Sequence, residues 1–228
     1  MANAITSFET VQDGLAAELS LLNTVAEDHV SRFLVWDAAA RALTLPERFS
    51  RNDRFSEASD RMKRLGWPVS TRRTGGGITP QGPGVINVAV AFQVPPKDAK
   101  SVPETYAAIC DPLIHASATM GVSAVPGSVQ GSFCDGEFNL EVGGRKLVGT
   151  AQRWRGAHVL CHALVLIDLD LPKAVQAAQT LSDGLDLGDR YDASVHVCLR
   201  DLVPSPETAG ADFVKAITRQ LVSLGYAG

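Results

Sequence analysis

No basic cluster and no basic amphipathic stretch occurs in this sequence, where Asp and Glu outnumber Lys and Arg by 25 to 21. The net charge of −4 argues against a nucleic-acid partner, which usually requires a basic face. Long apolar runs are missing too: none approaches the roughly 18 residues that a membrane-spanning helix needs. The first residues lack the basic stretch and apolar core of a secretory signal. The expected setting is therefore cytoplasmic, with no membrane partner. Only four cysteines are present, Cys110, Cys134, Cys161 and Cys198, far apart and without C-x-x-C spacing. Neither a zinc site nor a disulfide framework is indicated. His29 and His115 have no partner at metal-binding spacing, so no metal is expected. P-loop, dinucleotide and H-E-x-x-H signatures are likewise absent.

What is present is a globular composition, 45% hydrophobic and 20% charged over 228 residues, enough to bury a core. Leu15, Leu19, Leu22 and Val25 recur at helical spacing and predict an amphipathic helix over residues 11–26. The run 32–36 reads as a buried strand, and 43–45 with Phe49 as a second, paired to it across 37–41. Ser56 is placed to cap a helix through Leu65, ended by Gly66 and Pro68. Residues 87–92 are nearly all apolar, the pattern of an interior strand. A polar connection follows over 95–102. Ser101 to Glu104 is a capping box that opens a helix to Met120, and 122–132 reads as loop.

Residues 138–142 and 145–152 flank Gly143-Gly144 as a hairpin. A long strand is predicted over 158–169, a helix over 172–182 and a short strand over 195–199. A closing helix over 206–224 turns Phe213, Ile217, Leu221 and Leu224 inward. Strands and helices mix without regular βαβ alternation. The expected fold is α+β, around a mixed, largely antiparallel sheet flanked by helices. No linker or repeat divides residues 1–228, so one domain is expected.

Two stretches do not read as core. In Thr71-Arg72-Arg73-Thr74-Gly75-Gly76-Gly77 the glycines let the backbone take positive φ and approach a ligand closely. Successive N–H groups there can hold an anion or a carbonyl oxygen, and the arginines add a planar donor fork. Alone this supports an anion or acyl-group cradle. The other stretch is Gly131-Ser-Phe-Cys-Asp-Gly-Glu-Phe-Asn-Leu140, in which Cys134 sits in a polar, glycine-flanked setting. Cys110, Cys161 and Cys198 lie in apolar contexts and read as small buried hydrophobes. His162 and His196 alternate with apolar residues and read as satisfied core or edge histidines. Trp36 and Trp67 read as core.

The helix ending Gly-Trp-Pro-Val-Ser and the Arg-Arg-Thr-Gly-Gly-Gly loop resemble the lipoate–protein ligase / octanoyltransferase family, a relative of the biotin ligase catalytic domain. The family's second loop is matched by Gly143-Gly-Arg-Lys-Leu-Val-Gly-Thr-Ala-Gln152. Two positions depart from the ATP-dependent ligases. Gln81-Gly82 stands where those have His-Asp, and Glu137-Phe138-Asn139 where they have Arg-Asn-Asp. Cys134 and Gly136 instead match the branch that moves octanoyl or lipoyl groups between carrier domains through an acyl-cysteine. Asn139 replaces that branch's Asp.

The resemblance implies an acyltransferase with Cys134 as nucleophile and Lys146 contacting the acyl carbonyl. Arg72, Arg73, Thr74, Gly75, Gly76, Gly77 and Asn87, with Gly149, Thr150 and Ala151, would wall the substrate site. The partners would be a lipoyl-domain or acyl-carrier protein as donor and acceptor, and no cofactor is required. ATP and Mg belong to the second reading, a ligase working through lipoyl-adenylate. The third is a non-catalytic acyl-binding or regulatory protein. Asp135 and Glu137 place negative charge beside Cys134, so compensating positive charge must come from elsewhere in the fold. Along an ideal hairpin Lys146 faces Glu141, and Cys134 lies roughly seven residues of strand away at about 3.3 Å each. The two meet only if the loop ending at Cys134 folds back over the hairpin.

Overall fold

The computed structural model describes residues 5–94 and 101–228; positions 95–100 of the expected polar connection lie outside the described residues. Among the described residues the main sheet has seven strands. They are β1 (Thr6–Phe8), β2 (Arg32–Ala38), β6 (Val85–Gln93), β10 (His158–Leu166), β9 (Arg145–Arg155), β8 (Leu140–Val142) and β7 (Val125–Pro126), in that spatial order. All neighbours are antiparallel except β1 and β2. A second sheet of three strands, β4 (Val69–Arg72), β3 (Ala42–Pro46) and β5 (Thr79–Gln81), stands apart from it. The α+β, largely antiparallel architecture expected from the sequence is the one observed.

Strand β6 is apolar except for Asn87 and the terminal Gln93, because both its faces are covered. Val88, Val90 and Phe92 join the cluster with α3 (Val102–Thr119) and α5 (Ala209–Ser223). Ala89 and Ala91 face Leu22 and Val25 of α1 (Val11–Asp28) on the other side. Each aliphatic side chain buried this way contributes about 1.5–3 kcal/mol. Helix α3 opens with the expected Ser101–Glu104 capping box. Helices α2 (Phe55–Arg64) and α4 (Leu171–Leu185) belong to the second sheet, where Met62, Ala178 and Leu181 pack on Leu43, Leu45, Trp67 and Ile78.

Several local expectations are corrected. Strand β3 does not pair with β2; it lies between β4 and β5, its five residues all buried. An apolar run states that a strand is buried, not which core receives it. Ser56 does not cap α2, whose N-cap is Arg54 without a side-chain bond; Asn52 Oδ1 takes the Arg54 N–H instead. Residues 195–199 form no strand: Val195 ends one short 3-10 turn, Leu199 begins another, and His196 between them makes one bridge to Lys146 of the sheet. Leu224 lies beyond α5 and is 58% exposed. On α1 the inward position is taken by Glu18, with Leu19 only half-buried.

Candidate active site

Arg72 ends β4 with its guanidinium turned inward, 6% exposed. Nη1 donates to the hydroxyls of Thr44 (3.2 Å) and Thr79 (3.4 Å), which tie β3 to β5. Nη2 donates to the carbonyls of Gly75 (3.0 Å) and Gly77 (2.8 Å), so the planar fork closes the glycine loop onto its own strand. The same nitrogen reaches Cys134 Sγ at 3.8 Å. Burial lowers the pKa of Arg72, an effect opposed by the nearby charges of Cys134 and Glu18.

The thiol takes a second hydrogen bond from the Gly77 N–H, at 3.1 Å. Gly76 must be glycine twice over. Its φ is +98°, and a Cβ there would stand 2.5 Å from the sulfur. Cys134 itself has a left-handed φ of +48°, which costs a non-glycine residue about 1–2 kcal/mol. The surroundings hold it there. Lys146 Nζ donates to the carbonyls of Phe133 (2.6 Å) and Cys134 (2.8 Å), and Asn139 Nδ2 to the Cys134 carbonyl (3.0 Å). The loop thus folds back over the hairpin, as the dyad required. Asp135 turns away from the sulfur to bind Ser128 and the N–H groups of Val129 and Gly136. Burial would raise its pKa, but those bonds and the charge of Lys146 hold it below the ordinary value.

Lys146 is fully buried, and burial depresses its pKa to about 8 against the opposing pull of Cys134 and Asp135. Two of its three N–H bonds are committed to carbonyls, leaving one. Its side chain lies over Gly149, where a Cβ would come within 3.3 Å of Cε and Nζ.

Arg72 and Cys134 open onto a cleft lined also by Leu15, Asn87, Gly149, Thr150, Ala151 and Leu164, among others. Asn87 and Gln81 form a reciprocal amide pair in its wall, at 2.8 and 3.1 Å. His162 borders this cavity and an adjoining one. Its Nδ1 meets Glu18 Oε2 at 2.6 Å, its Nε2 meets Thr74 Oγ1 at 3.0 Å, and the other oxygen of Glu18 takes the Trp36 indole N–H.

Of the expected site residues, Arg72, Gly76, Gly77, Asn87, Cys134, Lys146, Gly149, Thr150 and Ala151 converge. Thr74 is engaged by His162. Arg73 lies away from Cys134: its side chain is 55% exposed, stands 3.7 Å from Glu47 and lines the adjoining cavity. Gly75 contributes only the carbonyl that Arg72 holds. Glu18, His162 and Gln81 were not read from the sequence as site residues. Glu18 left a signal, a carboxylate on the same helical stripe as Leu15, Leu22 and Val25. Among the described residues no group of three or more His, Cys, Asp or Glu side chains could hold a metal ion.

The family described as lipoyl protein ligase A/B catalytic domain matches residues 11–220. The chain belongs to that family. An uncharacterized protein of Cupriavidus necator is 32% identical over 205 residues, covering 83% of this chain and 80% of that one. The octanoyl-GcvH:protein N-octanoyltransferase of Kyrpidia tusciae is 37% identical over 128 residues, which is 52% of this chain and 43% of the relative. This chain therefore spans less than half of that octanoyltransferase. A T. acidophilum lipoate protein ligase with bound lipoic acid shares the fold at a TM-score of 0.73 and 16% identity, over 96% of this chain and 82% of that one. A lipoate-protein ligase A bound with ATP gives 0.74 at 17%, with the same coverage. The sequence resemblance and the family agree. Among the described residues, no helix is long and apolar enough to cross a membrane.

Proposed function

We propose that the chain transfers an octanoyl or lipoyl group from one carrier protein to the lysine of another through a thioester on Cys134. The observation that supports this best is the sulfur's position in the cavity, with the Gly77 N–H and the Arg72 guanidinium directed at it. A thiolate, the nucleophilic form of cysteine, can accept from both. They also supply the positive charge that Asp135 and Glu137 could not. Attack on the donor's acyl carbon forms the carbon–sulfur bond and expels the donor's heteroatom, which leaves with a proton. The acceptor amine then attacks the thioester, the new amide forms, the amine proton departs, and the thiolate is regenerated.

The free N–H of Lys146 stabilises the oxyanion in each step. Because one acyl linkage is exchanged for another, no nucleotide is needed. The names of the Kyrpidia relative and of an octanoyltransferase LipM from Carboxydothermus hydrogenoformans, 25% identical over 202 residues, support this reading. A GcvH carrier as donor rests on the Kyrpidia relative's name, and a lipoyl domain as acceptor on a T. acidophilum lipoate protein ligase described with its E2 lipoyl domain.

Incubation of the protein with octanoyl-loaded carrier and an unmodified lipoyl domain, without nucleotide, tests the proposal. Octanoyl transfer to the lipoyl-domain lysine is expected. Modification only from free octanoate and ATP, with pyrophosphate release, would establish the ligase reading instead. Thermal stabilisation by the free acid with no modified acceptor would establish the acyl-binding one.

A further inference from the structure

The imidazole of His196 is buried beside the nucleophile loop yet is not among the residues that line the cavity. We infer that His196 is a positioning residue that holds the Phe133–Cys134 segment in the one conformation that presents the sulfur to Gly77 and Arg72. The inference rests on Cys134 being the nucleophile.

Its two ring nitrogens have partners of opposite kind. Nδ1 lies 2.9 Å from the carbonyl oxygen of Asp192, which can only accept. Nε2 lies 3.2 Å from the backbone N–H of Phe133, which can only donate. Both bonds form only in the neutral tautomer protonated at Nδ1. The ring also stacks on that of Phe133, with centroids 4.2 Å apart and planes within 20°. Residue 133 is thus held by its N–H and ring from His196, and by its carbonyl from Lys146. The next residue is the cysteine with the left-handed backbone. Releasing one side of that clamp lets the strained φ relax and carries the sulfur off its donors.

His196 and Lys146 are themselves joined. They form a parallel bridge, and the Val197 N–H donates to the Lys146 carbonyl at 2.9 Å. The charges facing the imidazole are the Lys146 ammonium at its side and the Asp192 carboxylate, which is occupied by Ser194. Burial, then the charge of Lys146, hold the His196 pKa down at about 4. The neutral tautomer therefore persists across the working pH range.

The test combines three readouts on the full chain: iodoacetamide alkylation of Cys134, octanoyl-adduct formation, and the ¹⁵N spectrum of the wild-type imidazoles. His196→Leu, which cannot accept the Phe133 N–H, should slow alkylation and adduct formation about tenfold, the effect of one lost buried hydrogen bond. His196→Gln places an amide oxygen near the Nε2 position and should recover most of the rate. In the wild type one histidine should show a bare Nε2 and a protonated Nδ1 down to about pH 4.

Wild-type rates in folded His196→Leu, equal losses in folded His196→Leu and His196→Gln, or a wild-type spectrum in which no histidine is held neutral with Nδ1 protonated and Nε2 bare would overturn the inference. If both variants fail to fold, the wild-type spectrum decides alone. A wild-type protein that alkylates at Cys134 but takes up no acyl group would instead count against the acyl-cysteine reading.

Discussion

The ammonium of Lys146 donates to the carbonyl oxygen of Cys134 at 2.8 Å, while the sulfur of the same residue takes its hydrogen bonds from Gly77 and Arg72. Lysine and arginine divide the work accordingly. Lys146 fixes the backbone that carries the nucleophile, and Arg72 with the glycine loop holds the nucleophile itself. The division places the positive charge nearest the sulfur on β4, in the small sheet, and the loop clamp on β9, in the large one.

Replacing Arg72 by lysine keeps the charge and removes the fork. A lysine cannot serve Thr44, Thr79, Gly75 and Gly77 together, so buried acceptors lose their donor. Arg72→Lys should lose on the order of 2 kcal/mol in chemical denaturation. It should also slow alkylation of Cys134 by iodoacetamide. A variant of wild-type stability and thiol reactivity would show that the fork is dispensable.

Lys146 makes stability depend on pH in a defined sense. Its folded pKa of about 8 lies below the ordinary lysine value of 10.5, so between those limits the unfolded chain binds more protons than the folded one. Stability from this group is complete above pH 10.5 and is lost as pH falls through about 8. The full swing is on the order of 3 kcal/mol. Other groups titrate in that range, so the comparison is with Lys146→Met. The stability of wild type relative to the variant should rise from pH 8 to 10.5, while the variant loses acyl transfer. A flat difference would mean that Lys146 titrates as an exposed lysine does.

How much of this was legible in the sequence depended on whether a residue's role is local. The glycine triplet declared itself because few other settings favour three glycines after two arginines, whereas Cys134 was singled out through the family resemblance. The Ser101–Glu104 cap and the hairpin at Gly143-Gly144 follow from neighbours and were read correctly. The contact of Arg72 with Cys134 bridges 62 positions, and that of His162 with Glu18 bridges 144. No periodicity encodes such pairs; the sheet order does. The same limit misplaced β3, whose apolar residues state burial without naming a neighbour. It also made Arg73 look equivalent to Arg72, although alternation along the chain turns one inward and the other to solvent.

The central claim is that Cys134 carries the acyl group. Intact-mass analysis of the protein after incubation with an octanoyl-loaded carrier, before and after neutral hydroxylamine, tests it most directly. The account predicts a single octanoyl adduct that hydroxylamine removes and that Cys134→Ala does not form. A hydroxylamine-resistant adduct, or one that persists in Cys134→Ala, would contradict it.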